Sequence, residues 1–277
     1  MSNNVVTRTG SNLMASDEEL GVQAEKAMAQ AMFRYTFGIV GDYQGSEGKG
    51  IGAGVGLIWR NRYLIATAKH VIEDTPPQRI YYFLPQHPLQ IEESSASVDW
   101  AGCKWQVRCT LENPQISYSP TDDLAIIGLP EQLEEAGKEH FYKLGENRTT
   151  PPCGTLVGYM GYPSARAQPF GKNYAVTPCH SFGEICAPSC SYDLSREFAI
   201  TYPPGTELEP RGFSGSGAWY SRPAGIVWSP SPRLAGILTN YYRQSQVLIC
   251  CRIERLLWFL AETCGGFVQA GTAPAGR

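Results

Sequence analysis

What most restricts the fold of this chain is its cadence of short β-prone runs separated by turn residues. Such runs occupy residues 37–41, 52–59, 62–67, 79–84, 105–111, 124–129, 155–160, 198–202, 234–242 and 247–253. Glycines interrupt the first two, and Asn61-Arg62 reads as the turn between the second and third. Runs this short and this closely spaced suit antiparallel pairing, which leads to barrels or a sandwich. No internal repeat at a fixed period is present.

Two segments break the pattern. Ser16-Asp17-Glu18-Glu19 has the capping-box arrangement, an acceptor three residues ahead of a Glu. Leu20, Val22, Ala27, Met28, Met32 and Phe33 follow at loosely helical spacing, so a helix is expected over 17–34, an accessory packed on the surface. Ile253, Leu256, Leu257, Leu260 and Ala261 predict a second helix over 252–263, stopped by Gly265-Gly266, with 271–277 as a frayed tail. Residues 132–144 read as a helical or loop-like bridge between two halves. The expected division is 1–35 as polar segment and accessory helix, 36–145 and 146–250 as two β units, and 251–277 as helix and tail.

With 277 residues, the chain can form one large domain or two ordinary ones, and 43% hydrophobic against 18% charged residues describes a globular protein. The net charge is −3 and no Lys/Arg cluster exceeds a pair, so a nucleic-acid partner has no electrostatic footprint. No apolar run approaches the roughly 18 residues that a membrane helix requires. Residues 1–12 are polar and do not read as a secretory leader. The nine cysteines are an odd count and Cys250-Cys251 are adjacent, so reduced thiols and a cytoplasmic location are expected.

The candidate chemistry centres on Arg211-Gly212-Phe213-Ser214-Gly215-Ser216-Gly217. A serine between glycines suits a tight turn that lifts a hydroxyl clear of the backbone while neighbouring N–H groups converge. A nucleophile beside converging donors is what acyl transfer needs. Alone, the stretch is equally well a surface loop of small residues. Upstream, His70 follows the apolar run Leu64-Ile65-Ala66-Thr67, and Asp123 opens Leu124-Ala125-Ile126-Ile127. Each of these has a dull reading too, a satisfied strand-end histidine and a loop-terminating acid.

Taken together and in this order, Thr67-Ala68-Lys69-His70, Asp123-Leu124-Ala125 and Gly212-Phe213-Ser214-Gly215 resemble the motifs of the chymotrypsin/trypsin-like serine peptidase superfamily. The resemblance runs from about Phe37 to Leu260. It implies an all-β protein of two six-stranded Greek-key barrels with the active site between them. By the same resemblance Ser214 is the nucleophile, His70 the general base and then acid, and Asp123 the group that orients His70. Asp123 is preferred to Asp122 because the family's acid directly precedes an apolar-Ala pair. The N–H groups of Gly212 and Ser214 would form the oxyanion hole. The implied function is a serine endopeptidase acting on peptides or proteins, without metal or organic cofactor. An α/β-hydrolase elbow is excluded by order, because no histidine follows His180 and Ser216 stands where that motif needs glycine. A cysteine peptidase finds no Cys in a comparable turn.

Departures from the family are informative. Phe213 occupies the position of the acid that pairs with a newly cut N-terminus in secreted members, and Gly38-Ile39-Val40-Gly41 lacks a basic cleavage point. Activation of that kind is not expected. Val71 stands where the family has a cysteine beside the histidine, which fits a reduced, intracellular, bacterial protein. The resemblance puts the floor of the specificity pocket at Leu208 and one wall at Thr239-Asn240-Tyr241. Leu208 argues against a basic P1 residue, although Glu207 and Glu209 flank it. Leu238 stands where glutamate-specific relatives carry histidine. Cys179-His180, Cys186 and Cys190 lack the CxxC spacing of a zinc knuckle, so free thiols are the expectation. An enzyme without a zymogen switch needs restraint, by the N-terminal helix or by a partner protein. The rival reading is a binding or sensor module that keeps the fold and lacks turnover.

Overall fold

The computed structural model describes residues 17–44, 47–83, 108–110, 115–129, 135–146, 148–163, 167–170, 173–176, 178–187, 192–202, 210–221 and 231–265. Helix α1 (Asp17–Tyr35) leads into β1 (Thr36–Gln44), β2 (Glu47–Trp59), β3 (Arg62–Thr67) and the one-turn helix α2 (Lys69–Ile72). Strands β4 (Ile80–Phe83), β5 (Arg108–Thr110), β6 (Gln115–Tyr118) and β7 (Ala125–Gly128) follow, then α3 (Glu135–Lys138) and β8 (Tyr142–Lys143). The second half comprises β9 (Leu156–Gly161), the hairpin β10 (Ala167–Phe170) and β11 (Asn173–Val176), β12 (Cys179–Cys186) and β13 (Glu197–Thr201). It closes with β14 (Gly217–Ser221), β15 (Pro232–Tyr242), β16 (Val247–Arg252) and helix α4 (Ile253–Gly265).

Strands of the first half form a barrel-like sheet in the order β5-β4-β1-β2-β3-β7-β6, with β8 added in parallel beside β2. Those of the second half close into the six-stranded barrel β12-β13-β16-β15-β14-β9. The architecture is therefore all-β, as the motif resemblance implied, with the two helices expected from apolar spacing at its ends.

Side-chain alternation decides which core each strand serves. On β3, Leu64 and Ala66 face the core between the two sheets, whereas Ile65 joins Phe37, Ile39, Ile80 and Ile127 inside the first sheet. On β14, Trp219 faces the shared core and Ala218 and Tyr220 line the closed barrel. Both helices complete the shared core, α1 through Met28, Ala29, Met32 and Phe33 and α4 through Ile253, Leu256, Leu257 and Leu260.

Helix α1 is thus not an accessory on the surface. Its apolar residues recur at one helical face, and that face meets β9, β14, β15 and β2. Met32 is fully buried, and each such side chain contributes about 1.5–3 kcal/mol. Ser16, the expected cap, and the tail 271–277 lie outside the described residues.

The turn after β2 also differs from expectation by one residue. Arg60 and Asn61 carry φ of 47° and 64°, and Arg62 already pairs with Trp59. Two successive positive φ values match the twist of a tight hairpin. Strands β6, β8, β10, β11, β12 and β14 were not anticipated. Polar or glycine-rich sequences such as Cys179–Cys186 give weak strand signals, and their neighbours in the sheet supply the pairing.

Candidate active site

Strands β3 and β7 are antiparallel neighbours, with Thr67 opposite Ala125. The exit of one and the entry of the other therefore lie at the same sheet end. There α2 carries His70, and Asp123 sits just ahead of β7. His70 Nδ1 lies 2.7 Å from Asp123 Oδ2, and the His70 backbone N–H donates to Oδ1 at 3.0 Å. The Lys69 N–H donates to the Asp123 carbonyl at 3.3 Å. An acceptor at Nδ1 selects the tautomer with its proton there, which leaves Nε2 free to accept one. The hydrogen bond that His70 donates to Asp123 is the main cause raising the His70 pKa above its ordinary value. Burial opposes it, and the charges of Asp123 and Glu73 add to it.

Asp122 is turned the other way. Its carboxylate, 2% exposed, is gripped by Arg255 through Nη2 at 2.9 Å and Nε at 3.2 Å, with Arg196 Nη1 at 3.6 Å. Burial pushes its pKa up. The hydrogen bonds from Arg255 and Thr121, with the charges of Arg255 and Arg196, outweigh that and hold it low. These contacts tie the Asp123 loop to the turn before β13 and to α4.

The Ser214 turn is shaped by two glycines at positive φ, Gly212 at +99° and Gly215 at +88°. A Cβ on Gly215 would lie 2.0 Å from the Ala53 carbonyl and 2.2 Å from Thr67 Oγ1, so no other residue fits. The turn is held from both sides. Ala53 of β2 donates to the Ser214 carbonyl at 2.8 Å, while the Gly215 N–H reaches the Leu238 carbonyl on β15 at 2.7 Å. Thr67 Oγ1 in turn donates to the Ala53 carbonyl at 2.7 Å. Within the turn, Phe213 N–H donates to Pro210 and Ser216 N–H to Phe213. No described carbonyl takes the N–H of Gly212 or Ser214. These two donors remain available to an incoming oxygen.

Phe213 is 3% exposed and packs edge-on against Tyr159, with ring centroids 5.7 Å apart. An apolar anchor in the barrel core thus fixes the residue before the serine.

His70, Asp123 and Ser214 line one cleft of about 530 Å³ between the two halves. Thr239, Asn240 and Tyr241 line it along β15, where a register shift interrupts the pairing between Leu238 and Asn240. Leu238 and Leu248 contribute apolar surface, and Arg211 and Arg243 add positive charge. Arg211 heads the serine stretch, but neither it nor Arg243 or Leu248 is expected from sequence to line the cleft. Arg243 follows β15 in its hairpin turn, and Leu248 enters through barrel register. Leu208, Glu207 and Glu209 lie outside the described residues. No hydrogen bond joins Ser214 Oγ to His70. Such contacts commonly tighten only around a bound substrate.

Among the described residues no group of three or more His, Cys, Asp or Glu is placed to hold a metal. Cys179 and Cys186 sit at opposite ends of β12, about 23 Å apart at an extended rise, too far to share one ion. Cys190 lies outside the described residues. His180 beside Cys179 has its pKa pushed down to about 4 by burial.

No protein-family model matches the chain, and no curated protein matches it. Solved structures do. A serine endoprotease from Yersinia pestis aligns with a TM-score of 0.53 at 16% identity, over 85% of this chain and 65% of its own. The chain therefore spans under two-thirds of that protein's length. The scabies mite inactivated protease paralogue S-I1 aligns with a TM-score of 0.55 at 15% identity, over 86% of this chain and 96% of its own. These likenesses establish a trypsin-like fold.

Proposed function

We propose that this protein is a serine endopeptidase. The observation that carries the reading is convergence: the His70–Asp123 pair and Ser214 meet in one cleft beside the unclaimed N–H groups of Gly212 and Ser214. In this mechanism Ser214 Oγ attacks a peptide carbonyl as His70 Nε2 takes its proton, and the two N–H groups hold the developing oxyanion. His70 then returns the proton to the leaving amine, and water releases the acyl group by the reverse sequence. Asp123 stabilises the imidazolium throughout. No step calls on a metal or organic cofactor, and the partner required is a peptide or protein substrate. Leu208, Thr239, Asn240 and Tyr241 are proposed to line its P1 site.

Among the described residues Cys153, Cys250, Cys251 and Cys264 are free thiols, which supports a cytoplasmic, thiol-reducing setting. No helix among the described residues is long and apolar enough to cross a membrane.

A second reading, a gated or silent binding module, is favoured by two observations. Ser214 and His70 share the cleft without a hydrogen bond between them, and one structural neighbour is described as inactivated. Labelling with a fluorophosphonate, read by intact mass on the wild type and Ser214→Ala, separates the two. A single adduct on the wild type and none on the variant supports the peptidase. An unlabelled, folded wild type supports the module.

A further inference from the structure

Ser214 and Gly215 are held by bonds to both halves, but the other end of the turn, at Gly212, is held by a different residue. Gly212 carries one of the two open N–H donors, and its carbonyl accepts the Tyr162 N–H at 2.9 Å. A Cβ at Gly212 would lie 2.0 Å from the Tyr162 carbonyl and 3.1 Å from Pro163 Cα, so the 162–163 segment lies flat against it. Pro163 restricts Tyr162 to extended backbone, which stiffens that support.

The Tyr162 side chain extends the contact to the far end of the chain. It is 1% exposed, and its hydroxyl donates to the Thr36 carbonyl at 2.8 Å, between residues 126 positions apart. Thr36 opens β1 directly after α1 and is itself fully buried. Its Oγ1 donates to the Met32 carbonyl at 2.7 Å, closing the last turn of the helix. Met32 in turn lies in the core shared by both halves. An unbroken series of buried contacts therefore runs from α1 through Thr36 and Tyr162 to Gly212.

We propose that Tyr162 is a positioning residue for the oxyanion site, holding Gly212 in register by anchoring it to the α1–β1 junction. The inference rests on the peptidase reading above. Phe213 contributes apolar packing and no ionic tether, so the position of Gly212, on which its N–H is carried, depends on the Tyr162 backbone and the buried hydroxyl bond that anchors it. Misplacement of a donor by about 1 Å can slow chemistry by up to about a hundredfold without weakening binding.

The test is the Tyr162→Phe variant of the full chain, followed by the rate of fluorophosphonate inactivation at several pH values. The phosphonyl oxygen must enter the same donor pair, so the maximal rate constant reports donor placement. We expect that constant to fall about tenfold, with half-saturating probe concentration, pH midpoint and final labelled fraction unchanged. A wild-type rate constant in the variant overturns the proposal. So does a reduced labelled fraction at unchanged rate, which is the mark of a merely structural residue. A wild type that never reacts overturns the peptidase reading instead. If Tyr162→Phe does not fold, Thr36→Val loosens the same acceptor from α1; a slowing of about threefold is expected, and an unchanged rate constant overturns the proposal.

Discussion

The backbone N–H of Ala53, in the first sheet, donates to the carbonyl of Ser214, in the second barrel, at 2.8 Å. The turn that bears Ser214 is thereby fastened to the half of the molecule that carries His70 and Asp123. The relative placement of the three side chains follows from this fastening as much as from either sheet.

Gly215 makes the fastening possible. The Gly215→Ala variant would place its methyl against the Ala53 carbonyl while also demanding positive φ. The combined strain and overpacking should cost about 3 kcal/mol in urea unfolding and abolish labelling of the folded fraction. A stable, reactive variant would show that the two halves are not coupled through this contact.

His70 governs pH dependence. Its raised pKa means the neutral base becomes available only above the ordinary histidine value, so the inactivation rate should rise through a midpoint above 6.5. In Asp123→Asn the midpoint should drop and the plateau should collapse by about 10⁴-fold. Stability moves the other way. A raised folded pKa favours the charged form, so this contribution is complete below the unfolded value and lost as pH rises through the folded one. Asp123→Asn should therefore destabilise more at pH 5.5 than at pH 9; equal losses would contradict the pairing.

Arg255 keeps Asp122 ionised in a nearly dry site. Truncating it to Ala strips the bidentate partner from a carboxylate only 2% exposed in the intact chain, leaves Arg196 as the remaining cation, and should cost about 3 kcal/mol at pH 7. The lowered pKa of Asp122 gives stability that is present above its unfolded value of 3.8 and lost as pH falls through the folded one. The difference between wild type and variant should then shrink in strong acid. Denaturant titrations at pH 7 and pH 2.5 check both statements.

Helix α1 is structural. Met32→Ala removes a fully buried side chain from the core shared by both halves, and should cost about 2–5 kcal/mol. A surface helix would tolerate the change within about half a kcal/mol in thermal or urea unfolding.

Much of this was legible in sequence, for identifiable reasons. Strands β3, β7, β13 and β16 are dense in β-branched or apolar residues, and their limits fell within a residue or two of expectation. Strands β12 and β14 were not read, because histidine, cysteine and glycine say little without a sheet neighbour to pair with. Local motifs singled out His70, Asp123 and Ser214, and the antiparallel pairing of β3 with β7 brings the first two to one end of the sheet. The places of Arg211, Arg243 and Leu248 in the cleft were not legible, because a cleft wall is assembled from separate elements.

The sequence by itself determined the alternation of short strands, the two helical faces and the glycines that allow the Ser214 turn, since each depends on residues within one turn or strand. Only the tertiary structure decided that α1 belongs to the core, that Asp122 pairs with Arg255, and that Tyr162 links Thr36 to Gly212. Those outcomes depend on which groups meet after the two sheets close on one another. Burial then makes every unpaired donor or charge costly, so the chain must satisfy them with partners more than a hundred residues away.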